Sequence, residues 1–300
     1  IIRSMKIYDC FMYYDEDTVV DIRLNCLDAH VDKFLIVESK FTHSGRKRDL
    51  LFDINQFKHF KNKIVYLVLD HEPQGIEIID DEDDESAQSF KFIENAIRRE
   101  NYHRNYIARG LIDADAEDII MISDADEIPN LENLDLKKIK NKLIIFQQKM
   151  FYYKLNLYLD SFSWCGSKAC RKKNLISPQW LRNVKDKNYP FWRIDTLFSK
   201  NKYQNIYFVN NGGWHFSNIK NAKEIEKKLK SYLHHREFDE EPLSVEVIDK
   251  IIKEKKAIYD LRVDKRESKF NKGQKLITID LKFLPNYIQN NIEKFKLWLD

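Results

Sequence analysis

Residues 119–130 (IIMISDADEIPN) concentrate carboxylates where chemistry is easiest to place. In an extended segment alternate side chains share a face, so Asp124 and Asp126 are expected to point the same way. Two such carboxylates repel unless something positive lies between them, and a divalent cation with oxygen ligands is the natural candidate. Glu127 adds a third carboxylate, and Pro129 is expected to stop the strand. The rival reading is a solvated acidic turn, since short acidic motifs are common.

The run Ile119–Ile122 is short and wholly apolar, as in a strand buried on both faces of a mostly parallel sheet. Open α/β sheets bind ligands outside the carboxyl ends of their strands, which is where these carboxylates fall. Further strands are expected at 6–13, 34–37, 64–69 and 143–153. A helix is expected after Asp17, its N-cap, with Val20, Leu24, Leu27 and Val31 on the buried face. A long helix over 86–113 carries the stripe Ile93, Ile97, Ile107 and Leu111, which passes through Glu100 and Arg104. An inward charge is costly unless paired or used: Arg104 either bridges Glu100 or binds phosphate near the strand ends. Most aromatics of 155–200 are expected in the core, some as stacking platforms for sugar rings. Gly212 and Gly213 permit close backbone approach before Trp214 and His215. Helices at roughly 220–236 and 242–262 (the latter starting at Pro242), a strand at 276–280 and a helix at 286–299 close the chain.

With 300 residues, 43% apolar and 13% aromatic, the chain is globular and can bury a substantial core. A formal charge of +3 lends no support to a nucleic-acid partner. Residues 80–85 (DDEDDE) are expected to form a solvated loop rather than a cation site. The four cysteines have no zinc-site spacing and suit a reducing compartment. No run of 18 apolar residues marks a membrane span. A soluble, cytoplasmic protein is the expectation, with an anchor removed from the chain as the alternative. Oligomeric state is not legible.

Several segments together resemble glycosyltransferase family 17. They are 31–39 (VDKFLIVES) with Phe41, Thr42 and Gly45, then 66–71 (YLVLDH), 123–129 (SDADEIP) and 213–217 (GWHFS), in the family's order. The resemblance implies a GT-A fold: an α/β, Rossmann-like, mostly parallel sheet flanked by helices, binding a nucleotide sugar and a metal. It implies a catalytic domain over 5–220, with 221–300 as a helical extension packed on it. The reaction implied is inverting transfer of N-acetylglucosamine from UDP-GlcNAc to a glycan hydroxyl. On this reading Asp124, Asp126 and His215 hold Mn²⁺ (or Mg²⁺), while Glu38, Ser39, Thr42, Arg104 and Asp124 face the nucleotide sugar. Glu127 and Asp195 are the candidates for the general base. Rival classes are an aspartyl-phosphate phosphatase of the haloacid-dehalogenase type, with the first Asp as nucleophile, and a sugar-binding protein without turnover.

Overall fold

The structure is a computed structural model that describes residues 4–80, 82–231, 242–258 and 273–300. The apolar runs of the first half form β1 (Ile7–Tyr13), α1 (Asp17–Leu27), β2 (Lys33–Ser39), β3 (Ile64–Leu69), α2 (Glu85–Asn105) and β4 (Ile119–Asp124). There follow β5 (Glu127–Pro129), β6 (Leu143–Phe146), β7 (Gln148–Tyr152), β8 (Leu157–Trp164), β9 (Lys168–Arg171), α3 (Pro178–Asn183) and α4 (Asp195–Phe198). The remaining elements are β10 (Ile206–Val209), β11 (Gly213–Ser217), α5 (Ala222–Leu229), α6 (Val245–Lys253), β12 (Ile277–Thr278), α7 (Asn286–Gln289) and α8 (Ile292–Phe295).

Seven strands make the main sheet, in the order β10-β6-β9-β4-β1-β2-β3. Only β9 runs antiparallel to its neighbours. The sheet is buried on both faces: Phe11, Ile36 and Met121 enter one core, Cys10, Leu35 and Ile122 the other. That is why these strands are continuous apolar runs rather than alternating ones. The expected mostly parallel, Rossmann-like α/β class is therefore present. Strand order reverses at β1, with β2 and β3 to one side and β4 to the other. Such a switch point leaves a crevice outside the carboxyl ends of β1 and β4.

A second sheet, β12-β8-β7-β11-β5, stands beside the first. The chain passes between the sheets repeatedly, and two of these crossings depart from expectation. Strand β4 stops at Asp124, short of Pro129. Ala125 and Asp126 form a turn, and Pro129 is the last residue of the next strand, β5, opposite Gly213. Likewise 143–153 is two strands, β6 in the first sheet and β7 in the second, parted at Gln147. Gly213 has φ 134, and a Cβ there would lie 2.0 Å from the Ile128 carbonyl oxygen, so only glycine allows this approach.

Other boundaries shift for local reasons. Glu16, not Asp17, takes the N-cap position of α1; its carboxylate accepts from the Tyr14 and Asp15 amides. The α-helical part of 86–113 ends at Asn105 and continues as a 3₁₀ turn over Tyr106–Leu111. Its inward face is Ala96, His103 and Arg104, while Ile93 is 43% exposed. Within 80–85, Asp84 caps α2 through the Ala87 amide and Asp83 pairs with Lys91. Ser244, not Pro242, caps α6. Helix α5 begins in a capping box of Asn221 and Glu224. The parts of the expected helices at 232–236 and 259–262 lie outside the described residues. The expected helix 286–299 is two short helices and a 3₁₀ turn. Leu284, Ile288 and Phe295 from this end share a core with Val19 and Ile22 of α1. Phe191 and Trp192, expected in a core, are 83% and 67% exposed on the surface segment before α4. Among the described residues no helix is long and apolar enough to cross a membrane.

Candidate active site

A cavity of about 450 Å³ occupies the crevice at the switch point. The ends of β1 and β4, the loop after β2, helix α2, and residues of α3, β7, β8, β11 and α5 wall it. One buried guanidinium builds its floor. Arg23 of α1 makes a bidentate pair with Asp9 of β1 at 2.6 and 2.7 Å, both side chains fully buried. Its remaining nitrogen donates to the carbonyls of Asp124, Ala125 and Glu127, the tightest at 2.6 Å. A guanidinium's fixed fork can do both at once, because one edge is neutralised while the other gathers three carbonyls of the acidic turn.

The turn sends its carboxylates different ways. Asp124 meets Arg104 at 3.0 Å and Arg182 at 2.9 Å, one for each oxygen. Burial opposes its ionisation, but Arg182 and Arg104 outweigh this and hold its carboxyl well below the usual range. Arg104 also bridges Glu100 at 2.8 Å, so the expected bridge exists and extends to the acidic turn. Glu127 is fully buried beneath the cavity. It accepts from Trp164 Nε1, from both terminal nitrogens of Arg182 and from the Asp124 amide. Its place is that of a structural anchor, with both oxygens engaged.

Asp126 faces His215 and Lys228 instead, at 3.5 and 3.8 Å. Both contacts are longer than ordinary charge-assisted hydrogen bonds, about 2.7–2.9 Å. β11 sets His215 directly opposite Glu127 in the ladder, and the Phe216 amide donates to the Asp126 carbonyl. The ring lies 5.1 Å from that of Trp164, and its Nδ1 is buried without a hydrogen-bond partner among the described residues. Burial would lower its pKa; Asp126, then Glu127 and Asp124, outweigh this and raise it. Burial also pushes the Glu16 carboxyl at this end of the cavity upward. Asp124 and Asp126 thus share a cavity without sharing partners. Among the described residues no group of three or more His, Cys, Asp or Glu stands ready to hold a metal.

The structure brings Thr42, Arg104, Asp124, Asp126 and His215 to this cavity and leaves four expected residues out of its lining, Glu127 beneath it and three others. Glu38 is fully buried, fixing the 48–52 segment: it accepts from the Leu51 and Phe52 amides and Tyr66, and pairs with Arg48. Ser39 caps its own loop by accepting from the Phe41 amide. Asp195 lies on the surface, 42% exposed and paired with Arg193 and Lys202. Sequence reasoning missed Arg23, Arg182, Lys228 and Glu16. Asp9 and Arg23, charges embedded in otherwise apolar runs, were a legible signal of a buried pair. For Arg182 the signal was weaker: Ser177-Pro178 starts a short capped helix.

The fold and cavity define an α/β enzyme with an ionic site at the strand ends of a Rossmann-like sheet. The profile described as Glycosyltransferase family 17 matches residues 2–300, so the chain belongs to that family and is a glycosyltransferase. Membership sets aside the phosphatase and the sugar-binding protein without turnover. The human β-1,4-mannosyl-glycoprotein 4-β-N-acetylglucosaminyltransferase is 30% identical over 118 residues, and the mouse protein of that name 29%. Each alignment covers 38% of this chain and 20% of the relative, so the chain matches about a fifth of those proteins. The crystal structure of HddC from Yersinia pseudotuberculosis superposes with TM-score 0.30 and 12% identity over 70% of this chain and 92% of that one, too loosely to bear on fold or function.

Proposed function

We propose that this is a GT-A-type, metal-dependent inverting transferase that moves N-acetylglucosamine from UDP-GlcNAc to a sugar hydroxyl of a glycan. The family and the relatives' printed activity support the sugar. The charge inventory of the cavity is the observation that carries the metal. Four carboxylates (Glu16, Glu100, Asp124, Asp126) face four cations (Arg48, Arg104, Arg182, Lys228) in the lining. Arg48 and Arg182 also neutralise Glu38 and Glu127 behind it. A diphosphate would therefore enter a site without spare positive charge.

The residues fit a divalent cation that arrives with the donor. Asp126 is bound to no guanidinium, and His215 offers a nitrogen beside it. An imidazole among oxygens suits Mn²⁺. Divalent ions at phosphate-transfer sites are commonly held by one or two carboxylates plus the substrate's phosphates, so a full protein cage is not required. The bound cation would supply Lewis-acid neutralisation of the leaving diphosphate. Arg104 and Arg182 are preorganised by Asp124 to meet the same charge from the protein side. Asp124 serves here as the hub that fixes two guanidiniums, and Thr42 lines the nucleotide side. Residues 221–300 act as an extension of the same catalytic unit, contributing Lys228.

Turnover of UDP-GlcNAc measured against other UDP-sugars, with and without Mn²⁺, tests this reading. The expected outcome is preference for UDP-GlcNAc and loss of turnover on metal removal. Turnover of another UDP-sugar alone, or indifference to chelation, overturns it.

A further inference from the structure

A second cavity, about 230 Å³, adjoins the first. The two share four lining residues: Glu16, Asp126, Asn218 and Lys228. Beyond that common wall the lining is mostly polar, with Asp15, Thr18 and Glu224, and Trp298 is among its apolar residues. The Asp15 carboxylate is fixed by Lys220 at 2.7 Å. Asn218 stands out at the junction. Its backbone is left-handed, φ 53. It is 4% exposed, and its Nδ2 has no hydrogen-bond partner among the described residues. A buried amide donor left unpaired is costly, so a ligand acceptor atom is its natural complement. Glu16 stands at the same junction, its Oε2 fixed by the Tyr14 and Asp15 amides at 2.9 and 3.1 Å. Its Oε1 accepts no hydrogen bond among the described residues.

Hydrogen-bonding groups of both signs around a small, mostly polar cavity with an aromatic residue in its lining suit a sugar. We infer that the second cavity is the acceptor subsite, where Asn218 donates to the acceptor sugar and Glu16 takes the proton from its attacking hydroxyl. This rests on the donor reading above. The hydroxyl oxygen bonds to the anomeric carbon of the donor sugar. The bond from that carbon to the diphosphate oxygen breaks, and its electron pair leaves with the diphosphate. The hydroxyl proton passes to Glu16 and then to solvent. The geometry turns from the two bases expected from sequence: Glu127 has both oxygens engaged, and Asp195 lies outside both linings.

The test begins with calorimetry of UDP-GlcNAc on the wild-type protein, with Mn²⁺ present here and in every step below. The methyl glycosides of mannose, glucose, galactose and N-acetylglucosamine then serve as acceptor probes, with binding followed by saturation-transfer NMR in the presence of UDP. Transfer is followed by UDP release. At least one glycoside should bind and accept sugar. Asn218→Gly, which keeps the left-handed backbone, should raise that glycoside's KM about tenfold, the worth of one hydrogen bond; Asn218→Asp gives a second folded comparison that also removes the donor. Glu16→Gln should lower kcat about 10²–10⁴-fold, the usual contribution of a general base, with glycoside binding and donor Kd retained. The inference is overturned if UDP-GlcNAc binds but no glycoside does, if the variants transfer like wild type, or if donor affinity falls as much as acceptor affinity. Failure of UDP-GlcNAc to bind at all is a separate result and removes the donor reading itself.

Discussion

Arg23→Met tests whether the acidic turn is held from beneath. The substitution keeps volume but strands Asp9, a fully buried carboxylate, and frees the carbonyls of Asp124, Ala125 and Glu127. Removing one partner of a buried pair costs about 3–5 kcal/mol. For a chain of this length, about 2 °C per kcal/mol puts the fall in melting midpoint at roughly 6–10 °C. Adding Asp9→Val removes the stranded charge and should return much of that stability. It cannot replace the guanidinium's bonds to the turn. The double variant should therefore melt close to wild type yet bind UDP-GlcNAc and Mn²⁺ more weakly. Calorimetry beside thermal denaturation separates the two effects. Wild-type affinity in the double variant would show that the turn holds its own shape, and a melting shift below about 2 °C in the single variant would refute the buried-charge argument.

Arg182→Met should destabilise by about 3 kcal/mol, the low end for a broken buried pair because Glu127 keeps Trp164 and the Asp124 amide. A double-mutant cycle with Glu127→Gln should show clear coupling, and additive losses would contradict it. The protein should also lose stability in mild acid through His103. Burial pushes its pKa down to about 3, so the folded state rejects a proton that the unfolded state accepts. That contribution is intact above the ordinary histidine pKa of about 6.5 and is lost as pH falls toward 3, at about 1.4 kcal/mol per pH unit. Denaturation free energies of wild type and His103→Phe across pH 4–8 check this, since the variant should show a shallower acid limb.

The main sheet was legible because its strands are buried on both faces and so are written as unbroken apolar runs. The second sheet was not legible in the same way. In 143–153 the polar triplet Gln147, Gln148 and Lys149 parts two short apolar runs where the chain changes sheets, and so brief an interruption does not distinguish one long strand from two. Asp124 and Asp126 were visible as chemistry, but their separation was not. It arises because Ala125 and Asp126 turn between sheets, so the alternation of an extended segment does not apply. Glu38 shows the reverse error of scale: a carboxylate at a strand end resembles a ligand until the Leu51 and Phe52 amides fold back onto it. Arg182 and Lys228 reach the cavity from short helices remote in sequence, a juxtaposition set by tertiary packing alone.

On the proposed function, donor and divalent cation enter one site together, through Asp126 and His215. Titration of UDP-GlcNAc into the protein with Mn²⁺ and again with EDTA measures that coupling, with Asp126→Asn as the control. Strong binding with Mn²⁺ and a large loss in EDTA are expected, with Asp126→Asn weak in both. Equal affinity with and without the metal would contradict the coupling.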